Sequence, residues 1–415
     1  MSNLSAKKPD ESPLEPGKPG APGKPGAPGK APTGTAHGPS GKKWDSERLI
    51  LAAAGPVIAL VLSLVVTGVV LLASGKNPVE PFQLMFEQIG YSDQQVLIIN
   101  QAGVYYLAAL AVAVGFRMNL FNIGVDGQYR LAACVTAIAG FHLALPQVLQ
   151  IPVLLIIAML TGALWAGVAG VLKVTRGVSE VVATIMLNSI ATALIVWLCL
   201  TDNFGVPVGN NQTTGAMDKA GWFPGIGMGD AGEIYGFVFV AVLAGVVYWL
   251  VLNRTRFGFD LRASGASEEA AAASGVSAKR MTLTAMLLSG AVAGLAGLPI
   301  LLGDTHTYSQ SFPSGLGFTG ITIALLGRNN PLGIAAASLL IAFLDKASSV
   351  LDYNGYEKEI ATIMQGIIVI AVVVSYEQVR LWGLRRQQRR VGLELAAAAA
   401  AATPSTEVKK EAAAR

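Results

Sequence analysis

Residues 151–172 read IPVLLIIAMLTGALWAGVAGVL, a run with no charged residue anywhere in it. Wound as an α-helix, a run of this length spans about 30 Å, the thickness of a bilayer's hydrocarbon layer. It is apolar on every side, which water does not tolerate and lipid requires. The stretch therefore reads as a membrane-crossing helix. Working outward, similar runs occupy 49–74, 96–115, 127–144, 180–200, 233–252, 281–302, 316–327, 332–350 and 359–378. The expected fold class is an all-α membrane protein of about ten transmembrane helices. The run at 316–327 is short and Gly-rich, and is expected to be partly re-entrant, sheltered by its neighbours.

Composition agrees. The 415 residues are 53% hydrophobic and 13% charged, against about 25% charge in soluble domains. Ten crossings leave no room for a large soluble domain. The expected organisation is a Gly/Pro/Lys-rich tail over 1–48, a transmembrane domain over 49–379, and a basic, then Ala-rich tail over 380–415. The first tail contains GKPGAPGKPGAPGK (17–30), whose density of Pro and Gly favours a solvated, polyproline-like segment with lysines suited to anionic lipid. Nothing in the charge pattern points to nucleic acid.

Basic residues fall on alternate loops. With the N-terminus inside, the inner segments hold Arg117, Lys173, Arg176, Arg254, Arg256, Arg262, Lys279, Arg280, Arg328 and the Arg-rich stretch after 379. The outer segments hold Lys76, Lys219 and Lys358. This asymmetry follows the positive-inside rule and places both termini in the cytoplasm. The fifth run opens EVVATIM (180–186) and the tenth EIATIM (359–364). At equivalent positions in two five-helix halves, the shared ATIM suggests inverted repeats.

Four polar features stand out. The inner loop 253–280 contains SEEAAAASG, in which Ser267 is placed to cap a short helix and Glu268 and Glu269 suit its first turn. Gly265 and Gly275 bracket it, and Ala270 and Ala271 allow close seating. The reading is a coupling helix parallel to the membrane that docks into a partner, with Arg262 beside it; the plainer reading is an ordinary loop helix. The segment RMNLFNIGVDGQYR (117–130) interrupts two apolar runs, with Gly124 and Gly127 as breaks, and is read either as cavity lining or as a simple turn. Glu180, Thr184, Asn188 and Thr192 recur every fourth residue, one helix face that either lines a water-filled path or bonds to a neighbouring helix. Gly290 and Gly294 form a GxxxG pair suited to close helix packing. Cys134 and Cys199 sit in apolar runs and read as buried small hydrophobes.

No phosphate-binding G-x-x-x-x-G-K-[ST] loop and no Cys/His metal spacing occurs, and the three histidines are scattered. Any ATP and magnesium must therefore be bound by another chain, and this chain carries no cofactor of its own.

NLFNIGVDGQ (119–128), EVVATIMLN (180–188), RTRFGFDLRASG with EAAAASGV (254–276), AMLLSGAVAGLAG (285–297), ALLGRNNPLG (324–333) and EIATIMQGIIV (359–369) together resemble the permeases of bacterial ABC importers of the branched-chain amino acid/ribose type, nearest the nucleoside-uptake branch. Glu269-Ala270-Ala271 followed by Gly275 matches the EAA-x-x-x-G pattern of such permeases. The resemblance implies a cytoplasmic ABC ATPase, a second permease subunit forming a heterodimer, an extracellular solute-binding lipoprotein, and a bacterial plasma-membrane location. In that frame Asn119, Asn122, Glu180, Thr184 and Asn188 are the expected solute pathway. Arg262, Gly265, Glu268, Glu269, Ala270, Ala271 and Gly275 are the expected ATPase-coupling face. An ion-coupled secondary transporter is the alternative. A membrane-embedded enzyme would need a nucleophile–base or metal constellation, and none is found.

Overall fold

The computed structural model describes residues 61–356, apart from 63 and 210, and scattered positions between 362 and 396. The expected tail over 1–48, the start of the first span and, apart from Thr362 and Ile363, the second ATIM copy lie outside the described residues, as does the end of the C-terminal tail. Every apolar run expected between 96 and 350 holds a helix. In chain order the helices are α1 (Leu64–Ala73), α2 (Glu80–Glu87), α3 (Ser92–Phe116), α4 (Val125–His142), α5 (Gln147–Arg176) and α6 (Glu180–Leu198). They continue with α7 (Phe237–Arg254), α8 (Arg256–Ala266), α9 (Glu268–Ala273), α10 (Ala278–Ala296), α11 (Leu298–Ile300), α12 (Leu316–Leu326) and α13 (Pro331–Tyr353). Among the described residues, six helical segments are long and apolar enough to cross a membrane: α3, α5, α6, α7, α13 and the continuous stretch Ala278–Thr305.

Burial sorts these into inner and outer members. Of the apolar window in α3, 72% is buried, as in Ala278–Thr305, against 28% in α5, α6 and α7. Helices α3 and α10 therefore form the centre of the bundle. The reason is small residues. On α10, a methyl at Gly290 would lie 2.3 Å from the Gly162 carbonyl oxygen of α5, and one at Gly294 would lie 2.1 Å from that of Ala158. Such distances are closer than any carbon–oxygen contact, so the GxxxG reading holds: glycine lets two backbones touch where no hydrophobic drive exists between helices in lipid. A methyl at Gly320 of α12 would meet the backbone of Ala108 on α3 at 2.9 Å in the same way.

Residues between α6 and α7, expected as a plain outer loop, form two short antiparallel hairpins, Val206–Val208 with Asn211–Thr213 and Ile226–Gly227 with Glu233–Ile234. The expected sixth span thus starts at Phe237 rather than 233. Asn100 of α3 fastens the second hairpin, donating to the Glu233 carbonyl and accepting from the Tyr235 amide, each at 2.9 Å.

The inner loop 253–280 also differs from expectation. It holds two helices, because Thr255 caps a helix of its own, its hydroxyl accepting from the Gly258 amide. Gly265 lies inside α8 and is not the break before the coupling helix. It is a contact glycine: a methyl there would come within 2.7 Å of the Met118 Cα. The break falls at Ser267.

Candidate functional site

Polar groups gather where two irregular segments meet inside the bundle. The first is 117–124. Helix α3 ends in a Schellman turn: the Leu120 amide donates to Gly115 and the Asn119 amide to Phe116, with Asn119 left-handed at φ 58°. Asparagine tolerates that conformation, and Asn119 is exposed at the turn, apart from the other expected pathway residues. From there the chain climbs back into the bundle before α4 starts.

Asn122, fully buried, organises that climb. Its amide nitrogen donates to Gln128 at 3.0 Å and to the Ser289 hydroxyl of α10 at 2.9 Å, and its oxygen accepts from Gln128 and from the Gly124 amide. Helix α4 begins at Gly124, which has no side chain to cap it. Asn188 of α6 supplies the cap from across the seam, accepting from the Gly127 amide at 2.9 Å and donating to the Ile123 carbonyl at 3.0 Å. Gly127 is thus the third residue of α4, not a break. Thr184, buried, returns its hydroxyl proton to the Glu180 carbonyl, and a methyl at Gly124 would reach its Cβ at 2.9 Å. Glu180 pairs with Lys173 at 2.6 Å and accepts from the Phe121 amide at 3.4 Å. The fourfold spacing on α6 therefore faces α4, and the structure brings Asn122, Glu180, Thr184 and Asn188 together along one hydrogen-bonded seam. Cys134 and Cys199 lie on the same seam, buried, with sulfurs 3.9 Å apart.

The second irregular segment is 306–315. It starts from a π-helical turn, Leu301–Thr305, and ends at Gly315, left-handed at φ 90°, where α12 begins. Two helix N-termini, each carrying partial positive charge, thus meet head to head, α4 against α12. Asp126 lies between them. Its carboxylate accepts from the Gly315 amide at 2.7 Å and from the Tyr129 hydroxyl at 3.3 Å, and Tyr129 also donates to the Pro313 carbonyl at 2.8 Å. Arg130 stands 3.9 Å from Asp126 and donates to the Thr192 hydroxyl at 3.1 Å. Sequence reading quoted Asp126 as part of a polar segment and passed over Arg130. Gly315 is 189 residues from Asp126 and Thr192 is 62 from Arg130, separations that no local spacing reports.

At one end of the bundle Arg117 donates to the Asn329 carbonyl at 2.6 Å, Tyr248 joins it at 2.8 Å, and Arg262 of α8 bonds the Leu252 carbonyl. Helix α9 lies at this end. Ser267 caps it by accepting from the Ala270 amide at 3.2 Å, and Gly275 ends it at φ 79°. Ala271 alone of its residues is buried, so Glu268, Glu269 and Ala270 face outward. At the opposite end His306 stacks on Trp222, ring centres 3.8 Å apart. Burial holds its imidazole below the ordinary histidine range, against the opposing pull of Asp304 and Glu233.

With this geometry in view, comparison with known proteins is direct. The family described as the permease component of the branched-chain amino acid transport system matches residues 95–373. The chain belongs to that family: it is a multi-pass membrane component of a transport system, and its work is transport, not catalysis. It is 34% identical to the guanosine ABC transporter permease protein NupP of Bacillus subtilis over 77% of this chain and 93% of that protein. It is 30% identical to the nucleoside ABC transporter permease protein NupB of Lactococcus lactis, over 77% of this chain and 90% of that one. Identity is also 30% to the glucose ABC transporter permease protein TsgB13 of Haloferax volcanii, over 78% of this chain and 88% of that one. No solved structure matches the chain.

Proposed function

We propose that this chain is the membrane-spanning permease subunit of an ATP-driven importer that moves nucleosides into a bacterial cytoplasm. Family membership supplies the permease role, and two of the relatives above carry guanosine or nucleoside in their names. The observation that carries the ATP coupling is α9. It is a short capped helix, terminated by glycine, seated through one alanine and presenting two glutamates outward. It lies at the end of the bundle where Arg117, Arg254, Arg256 and Arg262 gather, which the positive-inside rule makes the cytoplasmic end. A cytoplasmic ATPase, binding ATP and magnesium, docks on Glu268, Glu269 and Ala270. Helix α8, seated on the 117–120 turn through Gly265 and tied to the end of α7 through Arg262, carries the push to the start of α4.

A second permease subunit completes the route as a heterodimer, and an extracellular lipoprotein delivers the solute. Both termini lie inside, with about ten crossings in two inverted halves. Two features favour inverted halves: the irregular segments 117–124 and 306–315 enter from opposite ends of the bundle, and each leads into a helix that starts inside it. Asn119 serves this architecture as the turn below the route. Asn122, Glu180, Thr184 and Asn188 hold the α4–α6 wall beside it.

The test is nucleoside uptake in cells expressing the complete system, with Glu269→Lys and Gly275→Leu introduced. Loss of uptake and of ATPase co-purification, with the subunit still in the membrane, is the expected result. Unchanged uptake that vanadate does not inhibit and an ionophore abolishes would replace this reading with ion-coupled transport.

A further inference from the structure

We infer that Arg130, with Thr192 beside it, is the point at which the solute route touches this chain. The argument begins with depth. Helix α6 starts at Glu180, paired with Lys173 in the last turn of α5. Thr192 is twelve residues further, about 18 Å along a helix of about 28 Å. Arg130 donates to it, so the guanidinium lies within the ~30 Å hydrocarbon layer.

Exposure comes next. The other polar side chains of the first turns of α4 and α6 are covered: Asn122, Asp126, Gln128, Glu180 and Thr184 are all buried. The Arg130 side chain keeps 16% of its surface open, against 11% for Asp126 and 10% for Glu180, and Thr192 and Ser189 on the same flank of α6 are exposed. Beside them runs 309–314, SQSFPS, with Gln310, Ser311, Pro313 and Ser314 exposed. A guanidinium facing lipid at this depth is costly and rare. An open arginine flanked by hydroxyls therefore faces water, and this flank is a wall of the route.

The chemistry follows from what is left unused. A guanidinium has five N–H donors. One is spent on Thr192, the Tyr308 hydroxyl is also within its reach, and Nε is buried with no partner among the described residues, which leaves the remaining terminal N–H groups for the route. Asp126 balances the charge at 3.9 Å, so the group does not demand an anion. What remains is a planar donor surface suited to carbonyl and hydroxyl oxygens and to the flat face of a heterocycle. A nucleoside offers both, whereas a hexose has no π-face. This assignment of the solute rests on the function proposed above; the location of the wall does not.

The experiment separates the two. In the complete complex in proteoliposomes, with Cys134→Ala and Cys199→Ala as background, Arg130→Cys is exposed to a cationic, membrane-impermeant methanethiosulfonate in each nucleotide state. Leu164→Cys, on the outer face of α5 and 69% exposed, is the lipid-facing control. Position 130 is expected to react at least tenfold faster than position 164 in one state, and guanosine with the binding protein is expected to slow it. Should Arg130→Cys fail to assemble, Thr192→Cys makes the same test with a smaller change. Reaction no faster than the control in every state overturns the wall. Fast reaction without protection by guanosine overturns the nucleoside contact alone. Separately, Arg130→Gln is expected to lower nucleoside moved per ATP about tenfold while stimulated ATP hydrolysis persists, and Arg130→Lys to restore part of it. An unchanged ratio in Arg130→Gln counts against the contact.

Discussion

Two seams run side by side through this bundle and are built on opposite principles. Between α5 and α10 the backbones touch through Gly162, Gly290 and Gly294, with only apolar side chains such as Ala166 and Leu287 packed around them. Around α6 the contact is set by hydrogen bonds, Asn188 to the Gly127 amide and Arg130 to Thr192 from α4, Glu180 to the Phe121 amide before α4 and to Lys173 of α5, with apolar contacts such as Cys134 on Cys199 beside them. Both solve the problem that lipid gives helices no hydrophobic reason to associate. The glycine seam has one geometry, because any shift opens a void or a clash. The polar seam holds groups that keep their value when they exchange one partner for another, including water. A transporter needs both: a rigid centre, and a wall beside the route that can be rearranged.

That contrast is breakable. The largest effect belongs to Gly290→Leu, which drives a side chain into the Gly162 backbone. Overpacking of this kind costs about 3 kcal/mol or more, and no folded subunit is expected by fluorescence size-exclusion of detergent extracts. Asn188→Ala comes next. It removes the cap of α4, worth about 1–2 kcal/mol, and a melting point lowered by several degrees is expected with the subunit still assembled; an unchanged melting point would mean that the seam is not held there. The Lys173–Glu180 pair, partly open to solvent, is expected to show a coupling of roughly 1 kcal/mol in a double-mutant cycle with Lys173→Met and Glu180→Gln, diminished by salt. The smallest effect is Thr136→Val on α4. Its buried hydroxyl has no partner among the described residues, so stability should hold or rise by up to about 1 kcal/mol. A clear loss there would show that α4 is polar-bonded on its other side too.

Much of this was legible in the sequence, for physical reasons. Apolar runs as long as a bilayer is thick have no second interpretation, and Gly290 and Gly294, one turn apart, can only mark a close approach. Ser267 before two glutamates is a helix start by local chemistry alone. The polar face of α6 was also visible as a period of four. Its target was not: a stripe says that something polar lies opposite, and only the fold decides whether that is water or the first turn of another helix. Gly265 was misread for a related reason, since a glycine that breaks a helix and one that admits a neighbour look identical in one dimension. Arg130 was missed because its significance lies in being open at depth, a property that belongs to no residue by itself.

The Asp126–Gly315 bond joins residues 189 positions apart in the chain. At synthesis rates of about 5–20 residues per second, α4 is delivered to the membrane roughly ten to forty seconds before its partner exists. A carboxylate cannot wait in lipid unattended, and Arg130, one turn further along the same helix, is a counter-charge that arrives with it. Biogenesis and transport then make successive use of one arginine: first as escort to a carboxylate awaiting the second half of the chain, and afterwards, with Asp126 committed to Gly315, as a group free to face outward.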